Sequence, residues 1–433
     1  MVMSMSHTKK NLFFYSLGII FSSILLTGCS SGNKEISKLN SETIHSQQIS
    51  PKQDIKASQI IEKRPHPTNI GNSAEHTETI KIGLVTSESG PLCPWGIECK
   101  KGVKLAIDSI NNKGGIKGKK IELLIEDSAS KASQAATAAE KLIAKGAIGI
   151  LGEQSSGNSA QIAHVAYAKG IPHIMMTATQ QDIVNIGSNI FRTCYSDDYQ
   201  GNVMAKFSFE ELQLRRVALF TDRKLPYSVG LSKGFKKKFE ELGGIIVDEQ
   251  FYESGQTQFS SQLTNLKAKH PEGLFIAGYY QEVGPIVRQA ASLGMKVHKL
   301  GGDGWDSSEI LTSGGKAVVG AYHSNHYLLT EKRKVIVDFV KKWKETYSDN
   351  PKTFCAGLSY DSALLMIEGL RKSTTLNSDA LIKAIAEIEN LECVTGTISF
   401  KNSEGNAQKR ALVVKISEKG RIFQKSYEHK DII

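Results

Sequence analysis

His323 and His326, in the segment HSNH, have a separation that on a helix could turn two imidazoles toward a metal, but they lie in a strand-like run, and no metal is expected. Ser155 and Ser156, in GEQSSGNSAQIA, carry hydroxyls with no evident base beside them, so they read as hydrogen-bond donors and not as nucleophiles. Ser156 stands where a strand gives way to a helix whose first amides favour an anion, the other reading being an ordinary helix cap. Asp303, flanked by glycines in LGGDGWDS, is by itself a turn residue. The chain contains no G-x-S-x-G elbow, no phosphate-binding P-loop, no H-E-x-x-H and no G-x-G-x-x-G after a strand. These groups point to binding and not to catalysis, with no cofactor.

Another unusual segment is SGPLCPWGIECKKG, in which Trp95 stands between Cys93 and Cys99 and reads as a loop in front of a helix. Cys93 and Cys99 are close enough in sequence for a small disulfide ring in an oxidising compartment, two unrelated thiols being the alternative. Beyond Cys29 the cysteines are odd in number: Cys355 and Cys393 form a second candidate pair, and Cys194 is left over.

A chain of 433 residues with 40% hydrophobic and 23% charged residues is long enough to bury two substantial cores. The net charge of +10 is carried by scattered lysines at helix-surface spacing, as in KGFKKKFEEL. That pattern describes a solvated face, mildly attracted to anionic surfaces, and no nucleic acid is expected.

The N-terminus carries HTKK, an apolar run from Leu12 to Leu26, and then LLTGCS, the layout of a secretion signal and short for a membrane span. Thr27 and Gly28 before Cys29 resemble a bacterial lipoprotein box. That resemblance implies removal of residues 1–28, lipidation of Cys29 and attachment to a membrane through the acyl chains. Residues 29–79 are polar, lack aromatics and read as a flexible tether of about 40 Å root-mean-square length. The folded part is therefore expected outside the cytoplasm, lipid-anchored.

From Ile80, short apolar runs alternate with helical periods: IKIGLVT, then GVKLAIDSINNKGG with Val103, Ile107 and Ile110 on one face, then IELLIED. A second series of the same kind follows FRTCYSDDYQG. The fold class is α/β, with doubly wound parallel sheets in two lobes. Near the C-terminus, GTISFK and RALVVKIS read as a hairpin around NSEGN. Sheets of this kind bind ligands beyond the carboxyl ends of their strands.

Taken in order, SGPLCPWGIECKKGVKLAIDSINNKGGIKGKKIELLIED, GEQSSGNSAQIA, FRTCYSDDYQGNVMAKF, AGYYQEVGPIVRQA, LGGDGWDS and SYDSALL resemble the leucine/isoleucine/valine-binding family of solute receptors for ABC transporters. The resemblance covers about Ile80 to Phe423. It implies a type I periplasmic binding protein fold with a three-stranded hinge. Residues 80–199 and 326–392 would form lobe 1, and residues 200–325 and 393–433 lobe 2. It further implies that a free amino acid, branched-chain or otherwise apolar, is captured between closing lobes and delivered to permease subunits by a monomeric receptor. Ser156 and Thr179 would hold the ligand carboxylate, and the Thr177 carbonyl and Asp303 its ammonium. Tyr227 and Tyr279 would line lobe 2, and Trp95, with Leu92 nearby, would cover the apolar side chain. Core packing for Tyr279 and surface exposure for Tyr227 are the plainer readings. The alternative function is a sensor that presents an amino acid, a small amide or an aromatic acid to a signalling receptor.

Overall fold

In the computed structural model, which describes residues 79–432, strand β1 (Thr79–Thr86) is buried along nearly its whole length, as a central parallel strand must be. It starts one residue before the expected Ile80. Around it a five-stranded sheet forms from β2 (Lys120–Asp127), β3 (Ile150–Leu151), β4 (His173–Met175) and β5 (Ile190–Arg192), in the order β2-β1-β3-β4-β5, every pair parallel. The crossovers are helices α1 (Cys93–Asn111), α2 (Ala132–Ala144) and α3 (Ser156–Ala168). The order reverses between β2 and β3 on either side of β1, which makes the loops after β1 and β3 the natural place for a site.

Helix α1 corrects the reading of SGPLCPWGIECKKG. Pro94 opens the helix, since its fixed φ suits the first turn and its missing N–H costs nothing there, so Cys93, Trp95 and Cys99 all lie on α1 and not in a loop. Six residues along a helix span about 9 Å, beyond the roughly 7 Å that a disulfide bridges. Both thiols are accordingly free: Cys93 Sγ donates to the Glu88 carbonyl at 3.0 Å, while Cys99 points across to Cys355. Cys194, Cys355 and Cys393 are also free and buried.

The second sheet combines β6 (Arg216–Asp222), β7 (Ile245–Tyr252), β8 (Gly273–Ala277), β9 (His298–Gly301) and β10 (Tyr322–Asn325), all parallel to their neighbours among themselves. Helices α4 (Asp197–Glu210), α5 (Pro226–Glu241), α6 (Ser260–Ala268), α7 (Tyr280–Ser292) and the short α8 (Glu309–Gly314) accompany them. On α5, Phe235 and Phe239 are buried at i, i+4 while the neighbouring lysines stay partly or fully exposed. The chain then returns to the first sheet's side with α9 (Lys334–Tyr347), α10 (Phe354–Lys372) and α11 (Ser378–Ala386). Helix α10 lies so close on α1 that a Cβ at Gly102 would sit 2.5 Å from the Ala356 carbonyl oxygen.

The expected C-terminal hairpin does not form. β11 (Leu391–Cys393) and β12 (Gly396–Ile398) make a separate two-stranded ladder, while β13 (Ala411–Ser417) pairs with β10 and with β14 (Gly420–Tyr427), both antiparallel. The tight turn joins β13 to β14 at Ser417 and Gly420, whose φ of 123° suits glycine. The NSEGN segment instead extends the first sheet, with Arg192 N–H donating to the Gly405 carbonyl at 2.8 Å. Residues 393–410 therefore lie with the first sheet, and the return to the second sheet comes at Ala411. Two α/β lobes joined by three crossings result, as the resemblance implies.

Candidate functional site

On the first sheet's side the site begins where β3 ends. The cap of α3 is Ser155, whose Oγ accepts the Asn158 N–H at 3.4 Å, so neighbouring Ser156 is not used as the cap. Ser156 Oγ instead accepts the Gln180 N–H at 3.2 Å. Beneath this loop lies the buried Glu153, held by hydroxyls of Ser87 (2.5 Å) and Ser128, its carboxyl pushed up by burial. Gln154 ties the same loop to β1 by accepting the Ser87 N–H at 3.0 Å and donating to Thr86 at 2.8 Å.

Thr177 and Thr179 follow β4. The Thr177 hydroxyl donates to the Gln154 carbonyl at 2.7 Å. The Thr179 carbonyl accepts from the Asp197 N–H at 2.8 Å and from Arg192 Nη1 at 2.6 Å. Arg192 is fully buried and also donates to the carbonyls of Gln180 (2.7 Å) and Gln181 (2.8 Å), so one guanidinium holds three successive carbonyls, 179–181.

From the second sheet's side comes Asp303, in a single 3-10 turn after β9, only 2% exposed. Its N–H donates to Gln200 Oε1 at 3.2 Å, and Gln200 Nε2 donates in turn to Asp197 at 3.0 Å. Its carboxylate accepts from His326 Nε2 at 2.9 Å. His326 is stacked between Tyr195 (3.9 Å) and Phe354 (5.4 Å), and burial pushes its pKa down to about 4 although the hydrogen bond to Asp303 works the other way. The imidazole is thus neutral at physiological pH, and its Nδ1 is buried with no hydrogen-bond partner among the described residues.

Tyr227, in the first turn of α5, is buried, and its hydroxyl accepts the Gly304 N–H at 3.0 Å. Its ring stacks on Tyr279 at 5.2 Å, and Tyr279 meets Trp95 edge-on at 5.2 Å. Trp95 is 1% exposed; it also contacts Tyr280 and Phe354 and donates from Nε1 to the Asp306 carbonyl at 3.2 Å. Glycines in LGGDGWDS are needed for approach and not for turning: a Cβ on Gly302 would lie 2.4 Å from the Tyr227 hydroxyl.

All seven residues singled out in the sequence meet in one continuous set of contacts between the two sheets. Arg192, Gln200 and Asp306 belong to it and escaped the sequence reading, and so does His326, singled out there only as a metal-ligand candidate with His323. An arginine ending a buried strand, as in IFR, was the one signal available for Arg192. Hydroxyls, backbone groups, a buried carboxylate and aromatic walls suit holding a small polar-ended solute, and among the described residues no histidine is hydrogen-bonded to Ser155 or Ser156. Among the described residues, no group of three or more His, Cys, Asp or Glu is placed to hold a metal ion.

Residues 79–421 match the family model described as periplasmic binding protein. The chain is 30% identical over 339 residues to Leu/Ile/Val-binding protein homolog 3 of Brucella melitensis, covering 77% of this chain and 90% of that one. The leucine-binding protein LivK of Thermotoga maritima superposes with a TM-score of 0.77 at 30% identity, covering 82% of this chain and all of that one. The branched-chain amino acid transporter substrate-binding protein LivJ of Streptococcus pneumoniae, solved with isoleucine, gives 0.75 at 29% identity, over 81% and 99% of the two chains.

Proposed function

Because this chain belongs to the Leu/Ile/Val-binding family of periplasmic binding proteins, extracytoplasmic solute receptors of ABC transporters and not enzymes, we propose that it captures a free α-amino acid between its lobes and delivers it to a permease. The ligand's carboxylate is held by Ser156 and Thr179, and its ammonium by Asp303 and the Thr177 carbonyl. Tyr227 and Tyr279 line the second lobe, and Trp95 walls the apolar side chain, which suits a branched-chain or other apolar ligand. The receptor acts as a monomer. Attachment through a lipid on Cys29 belongs to the same proposal, that residue and the tether as far as residue 78 lying outside the described residues.

One observation carries the reading. Asp303 is a buried carboxylate whose side-chain partner is a neutral imidazole, so an ammonium would supply the counter-charge that a desolvated anion requires. The test is a thermal-shift screen of the twenty amino acids beside urea, short amides and aromatic acids, followed by titration calorimetry. At least one L-amino acid should raise the melting temperature, and Asp303→Ala or Ser156→Ala should weaken its binding by at least ~1.5 kcal/mol, about tenfold. Stabilisation by a solute lacking an amine, or undiminished binding by Asp303→Ala, would overturn the assignment.

A further inference from the structure

Asp306 stands three residues beyond Asp303, is 4% exposed, and belongs to the second lobe, yet two elements of the first lobe converge on it. Its carbonyl accepts the Trp95 indole N–H at 3.2 Å, from α1. Its carboxylate Oδ2 accepts the Phe354 N–H at 2.6 Å, at the first residue of the nineteen-residue α10, where the helix dipole favours a negative charge. On its own lobe, Asp306 Oδ1 lies 2.7 Å from Arg421 Nε of β14, and Arg421 Nη2 donates to the Ser307 carbonyl at 2.8 Å. Nearby, Gln281 Nε2 reaches across from α7 to the Pro91 carbonyl at 3.1 Å.

The two sets of contacts respond differently to a hinge motion. Separation of the lobes breaks the bonds from Phe354 and Trp95 and leaves the pair with Arg421 whole, because both of its members travel with the second lobe. The carboxylate is therefore neither unpaired nor misdirected when the cleft is open, and it is aimed for recapture when the cleft shuts. We propose that Asp306 is a closure latch: a group outside the set assigned to the ligand that holds the lobes shut through α10 and Trp95 and so sets how long a captured solute stays. The contact stands apart from the ligand's identity, and only its effect on release rests on the solute-capture reading.

The test compares wild type with Asp306→Ala, Asp306→Asn and Trp95→Phe in two measurements, after circular dichroism has established folding. Stopped-flow release of L-isoleucine or L-leucine is expected to quicken about tenfold in Asp306→Ala with association changed little, the size expected for a lost hydrogen bond to a charged group. Asp306→Asn keeps an acceptor for Phe354 but loses the charge, and Trp95→Phe keeps the ring but loses the donor; each should show a smaller increase. Without ligand, acrylamide should quench tryptophan fluorescence more strongly in Asp306→Ala, because Trp95 is released from the interface. A folded Asp306→Ala or Asp306→Asn protein with release and quenching like wild type overturns the latch. If wild type binds neither amino acid, the amino-acid reading is what fails. The latch is then decided by quenching alone, an increase supporting it and an unchanged value overturning it.

Discussion

His326 is packed between two aromatic rings with Asp303 against one nitrogen, and its pKa is held near 4 by burial, with Lys409 opposing and Asp303 and Asp306 favouring the charged form. An unfolded histidine titrates near 6.5, so between about pH 6.5 and 4 the unfolded chain binds a proton here that the folded chain refuses. Its contribution therefore lowers stability as the pH falls through that window. His173 and His323, also near 4, act in the same direction, while Asp361, raised to about 6, opposes them below pH 6. Replacing His326 by Gln, which keeps a donor for Asp303, should reduce the stability lost between pH 6.5 and 5 by about 1.5 kcal/mol, read from urea unfolding at both values. An unchanged loss would mean that the imidazole is not held neutral. His326 had been noticed in the sequence only for its spacing from His323. Its partner Asp303 is distant in the chain, and a pair of that kind leaves no periodic trace. The junction at Ser156 was legible because the end of a strand and the start of a helix each have a pattern of their own. That Ser155 takes the cap and leaves Ser156 its neighbour's role depends on one residue of register, finer than a pattern resolves.

Elements were read well where a period ran long. The apolar face of α1 at Val103, Ile107 and Ile110 is buried as its spacing requires, and Gly114 and Gly115 end the helix with φ of 95° and 77°. Its beginning was misplaced because Cys, Pro and Gly are poor helix formers, and the contacts that hold CPWG are tertiary: Thr86 and Glu88 at the end of β1 and in the loop after it, Phe354 of α10, and Asp306, Tyr279 and Tyr280 of the second lobe. Contact with α10 also sets a demand at Gly102. A Cβ there would meet Ser359 Oγ at 2.1 Å and the Ala356 carbonyl at 2.5 Å, and the second of these is backbone and cannot swing away. Gly102→Ala gains helix propensity but must push α1 from α10, and a net loss of about 1–3 kcal/mol is expected in urea or thermal unfolding. A neutral or stabilising result would show the helices to be further apart than described. The C-terminal strands illustrate the opposite case. GTISFK and RALVVKIS both have strand composition, yet the partner each chooses is set by what lies in space beside it: β11 for one, β10 and β14 for the other.

The molecule as a whole depends on three crossings between lobes that must bend without coming apart, and a buried polar cluster lies beside two of them. Asp361, on α10, accepts the N–H groups of Val394 and Thr395 at 2.8 Å each and the Thr395 hydroxyl at 2.7 Å. Lys409, in the last crossing, donates to the same hydroxyl and to the carbonyl of Thr193, in the first crossing, at 3.4 Å. Burial raises the Asp361 carboxyl to about 6 and lowers the Lys409 ammonium to about 8, each charge offsetting part of the other's shift. At pH 7 both groups are charged, and each is tolerable because the other is near. Alternating strands and helices announce two lobes, but nothing in the order of residues announces this pairing, since an aspartate within a helix and a lysine before a strand are ordinary surface residues in most chains. The pairing has a thermodynamic signature. Asp361→Asn puts an amide donor against backbone donors and leaves Lys409 buried without its counter-charge, while Lys409→Met leaves the carboxylate without its cation; each should cost about 2–4 kcal/mol. With both changes made, neither charge remains to be stranded, so the double variant should lose less than the sum of the singles by about 1–3 kcal/mol in urea unfolding at pH 7. Strict additivity would mean that the two groups stabilise their crossings separately, and that the hinge is held by chain geometry and not by a shared buried charge pair.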